Sequence, residues 1–360
     1  MTRDLSHLEP AAAERVRMTV SCRDTDRLTK VAGAGEIFDH DGTRVQRMFN
    51  GILIEEGCYY GPWMTEIITD LEGHHEPQEE VVFDAVVDRL LASEPDASMI
   101  ELGSFWAFYS MSFRQRAGAD NVIIDMEPDP AYLDVGRRNF ALNDMESVFL
   151  HGAIGQAPGE VVTFTTESTG EIIEVEQYDL AALMATGGIS RLGLLMVDIQ
   201  GFETPLLAGA LDLLRSGAVR FLIISTHHHL ISGDALTHQN VLSTLEAAGA
   251  HVIAEHTVGE SFSGDGLVAV SFDPRDKGFT VDVSHARYRE SLFGEVEHDL
   301  DRAFAERDVA RAEAVELRAS LAKARRATKR AESAVRDLRQ SRSWRITKPI
   351  RVVTGLVRRT

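Results

Sequence analysis

The chain has 360 residues, of which 44% are hydrophobic and 7% aromatic, a composition that can bury a substantial core. Its formal charge of −19 is divided into +12 over residues 318–360 and −31 over residues 1–317, and an acidic body argues against a nucleic-acid enzyme. No apolar run approaches the roughly 18 residues of a membrane span and the first residues are polar, so we expect a cytoplasmic protein without a secretory leader.

Residues 1–75 form a predicted lead-in or cap region. Its short apolar runs and glycines, as in VQRMFNGILIEEGCYYGPW, predict a few β-strands and turns. Cys22 and Cys58 have no paired spacing, so neither a disulfide framework nor a thiolate metal site is expected. After HHEPQEE, the segment EEVVFDAVVDRLLA has the apolar spacing of a helix.

Residues 76–283 alternate between strand and helix patterns. Such alternation predicts a mostly parallel sheet covered on both faces, and an inserted hairpin is expected at residues 159–177. The predicted helices include Ala131–Asn143, Glu203–Arg215 and Gln239–Ala248. The predicted strands are Met99–Leu102, Asn121–Met126, Val148–Leu150, Leu194–Ile199, Arg220–Ser225, His251–Glu255 and Gly266–Ser271.

Residues 284–340 are rich in Ala, Arg and Glu and predict one long helix. Apolar residues recur in a heptad register over residues 296–338, which indicates a coiled coil and a homo-oligomer. The seam is weak, because alanine buries little area and Arg307 and Thr328 interrupt it. A single charged helix therefore remains an alternative.

The ends of three predicted strands carry residues suited to a ligand site, because open α/β sheets bind ligands at the carboxyl ends of their strands. In MIELGSFWAFYSMSF, Glu101 and Gly103 end the first strand, and Gly103 would let the backbone approach a nucleotide cofactor closely. Ser104, Phe105 and Ala107 occupy positions where further glycines or Asn would be expected. This motif alone is therefore weak evidence for a nucleotide-binding site.

The second strand delivers Glu127, which lies 24 residues after Gly103. An acid at this spacing accepts hydrogen bonds from ribose hydroxyls in dinucleotide-binding folds. Pro128 stops the strand and Asp129 can cap the next helix. The alternative is that Glu127 itself serves only as a cap.

A third strand, in LLMVDIQGFETPLL, delivers Asp198, and Gly201 permits a tight turn into a helix. Asp198 could position or deprotonate an acceptor hydroxyl, or it could be a structural cap. His227, His228 and His229 follow the next strand, and only one or two of them can face one pocket. They could accept a proton, contact the acceptor, or join Asp198 around a divalent ion.

In their order along the chain, these segments resemble the FkbM family of S-adenosylmethionine-dependent methyltransferases. The matching segments are HEPQEE, MIELGSFWAFYSM, IDMEPDPAYLDVGRRNFALND, HGAIGQAPGEVVTF, LMVDIQGFETPLLAGALDLLRSGAVRFLIIST, LEAAGAHVIAE and GLVAVS, over about 200 residues. The resemblance implies an α/β, Rossmann-like sheet of seven strands in the order 3-2-1-4-5-7-6.

It also implies that S-adenosylmethionine is bound by Glu101, Gly103, Ser104, Glu127, Ala153 and Asp198. Asp198, Gln200 and Glu203 fall in the family's D-x-E-G-x-E signature, in which Gln200 replaces the middle acid.

The function expected from these residues is O-methylation of a hydroxyl on a sugar, glycan or related small molecule, in surface-polysaccharide or secondary-metabolite biosynthesis. Asp198 and His227 are the predicted catalytic residues, with no metal in the principal hypothesis. A metal-assisted methyltransferase and an inactive platform that recruits partners through its C-terminal helix are the alternatives. The side chains that could either wall the pocket or pack the core are Tyr59, Tyr60, Trp63, Trp106 and Tyr109.

Residues 341–360 form a basic amphipathic tail. The segment QSRSWRITKPIRVVTGLVRR resembles the tails of bacterial glycosyltransferases and methyltransferases of surface-polysaccharide assembly. Its apolar residues among basic ones suit an anionic membrane surface, and docking to a protein partner is an equal alternative. Contact through residues 318–360 would place the protein peripherally at the inner membrane face.

Overall fold

The structure is a computed structural model that describes residues 4–286 and 294–347. It contains two compact units, Met1–Glu295 and Val296–Thr360. Within the described ranges, no helix combines the length and the apolar character needed to cross a lipid bilayer.

The N-terminal part of the first unit is a small antiparallel sheet between two helices. Helix α1 (Pro10–Thr19) precedes strands β1 (Ile37–His40), β2 (Thr43–Arg47) and β3 (Leu53–Glu55), and helix α2 (Pro62–Asp70) follows. Strand β2 pairs antiparallel with both of its neighbours. The few strands predicted for this region are present.

This N-terminal part shares its hydrophobic core with the rest of the unit. Leu5, Val16, Met48 and Ile52 belong to the same buried cluster as Phe108. The region therefore packs as a cover on one face of the large sheet. The domain limits predicted at residues 75, 283 and 340 stay predictions.

A seven-stranded sheet forms the centre of the unit. The strands after β3 are β4 (Met99–Leu102), β5 (Ile123–Glu127), β6 (Val148–His151), β7 (Ala153–Ile154), β8 (Val161–Thr165), β9 (Ile172–Tyr178), β10 (Leu192–Val197), β11 (Val219–Thr226), β12 (His251–His256) and β13 (Gly266–Ser271). The large sheet has the order β6-β5-β4-β10-β11-β13-β12, and β13 runs in the opposite direction to the other six strands. This is the order 3-2-1-4-5-7-6, so the predicted fold is confirmed.

The predicted hairpin is also present. Strands β8 and β9 pair antiparallel, and β7 adds to β9 in parallel to complete a second small sheet. The hairpin is inserted between the third and fourth strands of the large sheet, where it can reach the carboxyl ends of those strands.

Helices cover both faces of the large sheet, because successive side chains of its central strands point to opposite sides. In β10, Leu194 and Met196 join one buried cluster, whereas Leu195 and Val197 join the other. The helices of this unit are α3 (Pro77–Leu91), α4 (Phe108–Ala117), α5 (Pro130–Leu142), α6 (Leu180–Thr186), α7 (Glu203–Arg215), α8 (His229–Ser232) and α9 (Thr237–Ala247).

Several strand boundaries differ from the prediction by one or two residues, and two of these differences have local reasons. Strand β5 starts at Ile123, because the Asn121 side chain donates hydrogen bonds to the carbonyls of Pro95 and Ala97. Strand β10 ends at Val197, because Gln200 (φ 49°) and Gly201 (φ 98°) turn the chain into α7. Both shifts leave the predicted strand-end residues in place.

The C-terminal residues form helices α10 (Gly294–Gln340) and α11 (Arg342–Ile346). The predicted long helix is present, although it starts later than the change of composition at Ser284. The coiled coil and the homo-oligomer stay predictions. The basic tail predicted at 341–360 is described only to residue 347, and its residues 348–360 lie outside the described ranges.

Candidate active site

The three strand ends predicted to form a site meet at one cavity of about 510 Å³. Gly103 after β4, Glu127 at the end of β5 and Asp198 after β10 all line it. Adjacent parallel strands bring their carboxyl ends to one sheet edge, so residues far apart in sequence become neighbours. Glu101, Ser104 and Ala153 line the cavity too, so every predicted cofactor-binding residue lies at its wall.

Gly103 is required by a contact within the protein. Its φ is 75°, and a Cβ added at this position would lie 1.7 Å from the carbonyl oxygen of Asp198. The backbone N–H groups of Gly103 and Ser104 both donate to the Met126 carbonyl. Gly103 thus allows two strand ends to pack closely, and its service to close approach of a cofactor stays a prediction.

The loop after Gly103 keeps left-handed turns without glycine. Phe105 (φ 38°) and Ala107 (φ 58°) both occupy the left-handed region, where an L side chain is strained. The Phe105 ring stacks on Tyr132 with centroids 3.6 Å apart, which helps to hold it there. The Ser104 hydroxyl is buried and has no hydrogen-bond partner among the described residues. Ser104 and Phe105, which stand where glycine or Asn is expected, therefore still line the cavity.

Glu127 combines a structural role with exposure to the cavity. Its carboxylate accepts hydrogen bonds from the backbone N–H groups of Phe105 (3.1 Å) and Asp129 (2.9 Å). Burial raises the pKa of Glu127 to about 8, although both N–H donors act in the opposite direction. Each oxygen retains a lone pair, so the group can still accept from a bound ligand.

Asp129 caps α5 as predicted, because its side chain accepts from the Ala131 N–H. The same carboxylate accepts hydrogen bonds from the backbone N–H and the hydroxyl of Ser168, both at 2.9 Å. Ser168 lies in the turn between β8 and β9. The hairpin is therefore fastened over the cavity, which Val162, Phe164 and Gln177 also line.

Glu101 is largely engaged by the protein itself. Its side chain is 5% exposed and accepts a hydrogen bond from the Ser110 N–H in the first turn of α4. Burial and the neighbouring Asp125 raise the pKa of Glu101 well above its ordinary value. Glu101 thus anchors α4 from the cavity wall, and its contact with a cofactor stays a prediction.

Asp198 is a partly exposed acid at the cavity wall. Its side chain is 39% exposed, and its Oδ1 lies 3.0 Å from Nε2 of the fully buried His227. The other ring nitrogen of His227 lies 2.6 Å from Oε1 of Glu203, which also accepts from the Gly201 N–H. Burial alone would lower the pKa of His227, but its contacts with Asp198 and Glu203 raise it well above its ordinary value.

The positions of His227 and His228 limit the roles predicted for them. His227 does not line the cavity and reaches it only through Asp198. The side chain of His228 accepts from the Leu230 N–H at the start of α8. The side chain of Asp198 does not cap α7, which has Phe202 at its N-cap, and the choice between a catalytic and a structural Asp198 stays open. Metal binding by Asp198 and a histidine stays an untested prediction.

Two acidic residues at the start of α3 line the cavity and are not among the predicted site residues. Glu76, which precedes α3, and Glu79 in its first turn both line the cavity. The sequence signal was the run HEPQEE, which was interpreted only as a helix start. Of the five aromatic residues considered, Tyr59, Tyr60, Trp106 and Tyr109 line the cavity and Trp63 does not.

Residues 92–252 match the family model described as the Methyltransferase FkbM domain. The chain carries an FkbM methyltransferase domain. No curated protein matches the sequence. The matched residues contain strands β4 to β11, and so include Gly103, Glu127 and Asp198 of the cavity.

Several solved structures are similar to part of this chain at low identity. The bifunctional kinase-methyltransferase WbdD, in complex with a kinase inhibitor, is 12% identical over 53% of this chain, with a TM-score of 0.34. The chain spans 40% of the length of that protein. Magnesium protoporphyrin IX methyltransferase from Synechocystis PCC 6803, with bound SAM, is 12% identical over 53% of this chain and 78% of its own, with a TM-score of 0.35.

A further similar structure is precorrin-6y C5,15-methyltransferase from Geobacter metallireducens GS-15. It is 12% identical over 53% of this chain and 87% of its own, with a TM-score of 0.33. Likenesses at this level say nothing about the substrate of the FkbM domain.

The cavity of the FkbM domain fits S-adenosylmethionine in size and charge. Its volume lies within the range of about 300 to 1,000 Å³ that is usual for small-molecule sites. Glu127 supplies an acceptor for ribose hydroxyls, and the buried Ser104 hydroxyl lacks a partner. The described lining contains no Lys or Arg, and this suits the sulfonium and ammonium charges of the cofactor.

Proposed function

We propose that the FkbM domain transfers a methyl group from S-adenosylmethionine to a hydroxyl of a sugar, glycan or related small-molecule intermediate. The observation that supports this most is the convergence of Glu127 and Asp198 on one cavity with aromatic walls. One acid lies where a ribose would be held, and the other is exposed beside it for the acceptor. Surface-polysaccharide or secondary-metabolite biosynthesis is the proposed setting.

In this proposal Glu127, Ser104 and the Ala153 region hold the cofactor. Glu127 accepts from the ribose hydroxyls, Ser104 donates from its free hydroxyl, and Ala153 flanks the adenine. The cofactor supplies a methyl group on a positively charged sulfur, which is already a strong electrophile. The protein therefore has to align the acceptor and keep water out.

Asp198 would accept the proton of the acceptor hydroxyl as the oxygen takes the methyl group from sulfur, which leaves S-adenosylhomocysteine. His227 holds the Asp198 carboxylate by charge and position, and Glu203 fixes the orientation of the imidazole. Tyr59, Phe105 and Trp106 are almost entirely buried and form an apolar wall that excludes water from the reacting atoms.

Calorimetry with S-adenosylmethionine tests the cofactor, and transfer of labelled methyl groups to glycan and lipid-linked extracts of the source cell tests the reaction. We expect binding by the wild type, affinity lowered at least about tenfold in Glu127→Ala, and transfer lost but binding kept in Asp198→Asn. Absence of binding at millimolar cofactor would instead favour the platform hypothesis.

For the C-terminal segment we propose peripheral contact with an anionic membrane surface, where lipid-linked acceptors are found. The described part supports this with basic residues such as Arg339, Arg342 and Arg345 beside the exposed Trp344 and Ile346. Docking to a protein partner remains the alternative outcome of a vesicle-binding test.

A further inference from the structure

We propose that the acceptor carries a protonated amino group, as an amino sugar does, and that Glu76 and Glu79 bind this group on the α3 side of the cavity. The inference rests on the proposed function, because it assigns the acceptor class of the same cavity. It adds a binding site formed by residues outside the strand ends and outside residues 92–252 matched by the FkbM family model.

The carboxyl groups that line the cavity differ in how many hydrogen-bond and charge partners the protein gives them. Seven line it: Glu76, Glu79, Glu101, Glu127, Asp129, Glu167 and Asp198. Backbone N–H groups bind the three at the ends of β4 and β5, and Asp198 faces His227. Since the described lining has no Lys or Arg, no such side chain in it balances the charge of Glu76 and Glu79.

Glu76 and Glu79 are poorly hydrated and have few partners. The Glu76 side chain is 16% exposed, and Oε2 lies 3.6 Å from Nε2 of His75, an imidazole whose Nδ1 already faces Glu80 at 2.8 Å. Glu79 is 9% exposed and accepts a hydrogen bond from the Ser225 hydroxyl at 2.8 Å, and the Tyr109 hydroxyl lies beside it. Among the described residues neither carboxyl group has an ion pair with Lys or Arg, and the imidazole that faces Glu76 also faces Glu80.

Their titration reflects this shortage of positive charge. Burial, followed by the neighbouring Glu79, raises the pKa of Glu76 well above its ordinary value. Burial, followed by Asp198, raises the pKa of Glu79 to about 7. A ligand ammonium placed between them would favour the ionised forms, so its binding should release protons to the solvent.

Aromatic residues form an apolar wall beside this pair. Tyr59 and Trp106 stack with centroids 4.4 Å apart and an interplanar angle of 10°, and both line the cavity. Trp106 also stacks on Phe108, so the rings cover one another and offer the C–H groups of a sugar ring a surface to pack on. The Tyr109 hydroxyl is buried beside Glu79 with no hydrogen-bond partner of good geometry among the described residues.

The same arrangement disfavours an anionic acceptor. A carboxylate or phosphate on the sugar would find no Lys or Arg in the described lining to balance its charge, and it would oppose ionisation of Glu76 and Glu79. A neutral hydroxyl or amide could form hydrogen bonds with Glu76 and Glu79 but would bring no positive charge to them. The amine is therefore the acceptor substituent that this side of the cavity binds best.

The test is equilibrium binding to the full chain in the presence of S-adenosylhomocysteine. The matched probes are methyl glucosaminide, which is protonated at pH 7, and methyl N-acetylglucosaminide, which is not. We expect the amine to bind at least about tenfold more tightly. We also expect calorimetry in buffers of different ionisation enthalpy to show proton release only with the amine.

The variants separate this inference from the proposed function. Glu76→Gln, alone and with Glu79→Gln, should remove most of the preference for the amine, whereas Glu160→Gln on the exposed surface should keep it. The single variant and the proton release remain informative if the double variant does not fold. Equal affinity for the two probes, or no binding of the amine, would overturn the inference while leaving S-adenosylmethionine binding intact.

Discussion

Nδ1 of His227 lies 2.6 Å from Oε1 of Glu203, and neither side chain is exposed. The contact joins the end of β11 to the first turn of α7, across the strand end that carries Asp198. It fixes which ring nitrogen faces Asp198, so Glu203 is a positioning residue for the proposed proton transfer.

Glu203→Gln tests this positioning. Loss of the charge should lower kcat about 100-fold and leave the affinity for S-adenosylmethionine unchanged, because the ring loses its orientation. The pKa of His227 should fall with its anionic neighbour removed, so the alkaline limb of the pH profile should move to lower pH. Glu246→Gln, on the exposed face of α9, is the matched control. An unshifted profile would assign Glu203 to stability alone.

Gly103→Ala should destabilise the protein far more than the backbone conformation alone explains. Gly103 (φ 75°) and Gly217 (φ 74°) share a left-handed conformation, but a Cβ meets the Asp198 carbonyl at the first and nothing within 4 Å at the second. We expect a loss of about 1 to 2 kcal/mol for Gly217→Ala and at least about 4 kcal/mol for Gly103→Ala in denaturant unfolding. Similar losses would contradict the close packing.

Glu127 should make stability depend on pH. The unfolded carboxyl has a pKa of 4.5, and burial raises it to about 8 in the folded protein. Between these values the folded state keeps a proton that the unfolded state releases, so the free energy of unfolding should fall as the pH rises.

Glu127→Gln mimics the protonated form and should make this decrease shallower by up to about 1.4 kcal/mol per pH unit between pH 5 and 8. Urea unfolding at several pH values measures it, with Glu160→Gln on the exposed surface as control. A slope equal to that of the wild type would show that Glu127 is ionised in the folded protein.

We expect the chain to self-associate through α10. Leu317 and Leu321 lie on the heptad seam and are 70% and 51% exposed, so pairing of helices would remove apolar surface from water. Leu317→Lys with Leu321→Lys should lower the mass measured by light scattering. Ala319→Lys with Ala322→Lys, off the seam, should not. A monomeric wild type would favour the single charged helix.

The sequence by itself determined the alternation of strands and helices, the inserted hairpin, and the acids at the strand ends. Buried parallel strands need continuous apolar runs, and breaks such as Pro128 and Gly201 mark where they stop, so these signals are local. The strand order 3-2-1-4-5-7-6 came from the family resemblance, because pairing between distant strands leaves no local trace.

Tertiary structure alone decided which groups face each other. Glu76 and Glu79, at the start of α3, line the same cavity as Asp198. His227 contacts Glu203 and Asp198 but does not itself line the cavity. Gly103 makes room for the Asp198 carbonyl. These relations join residues far apart in the chain, and packing fixes their distances and burial, so no spacing along the sequence could have predicted them.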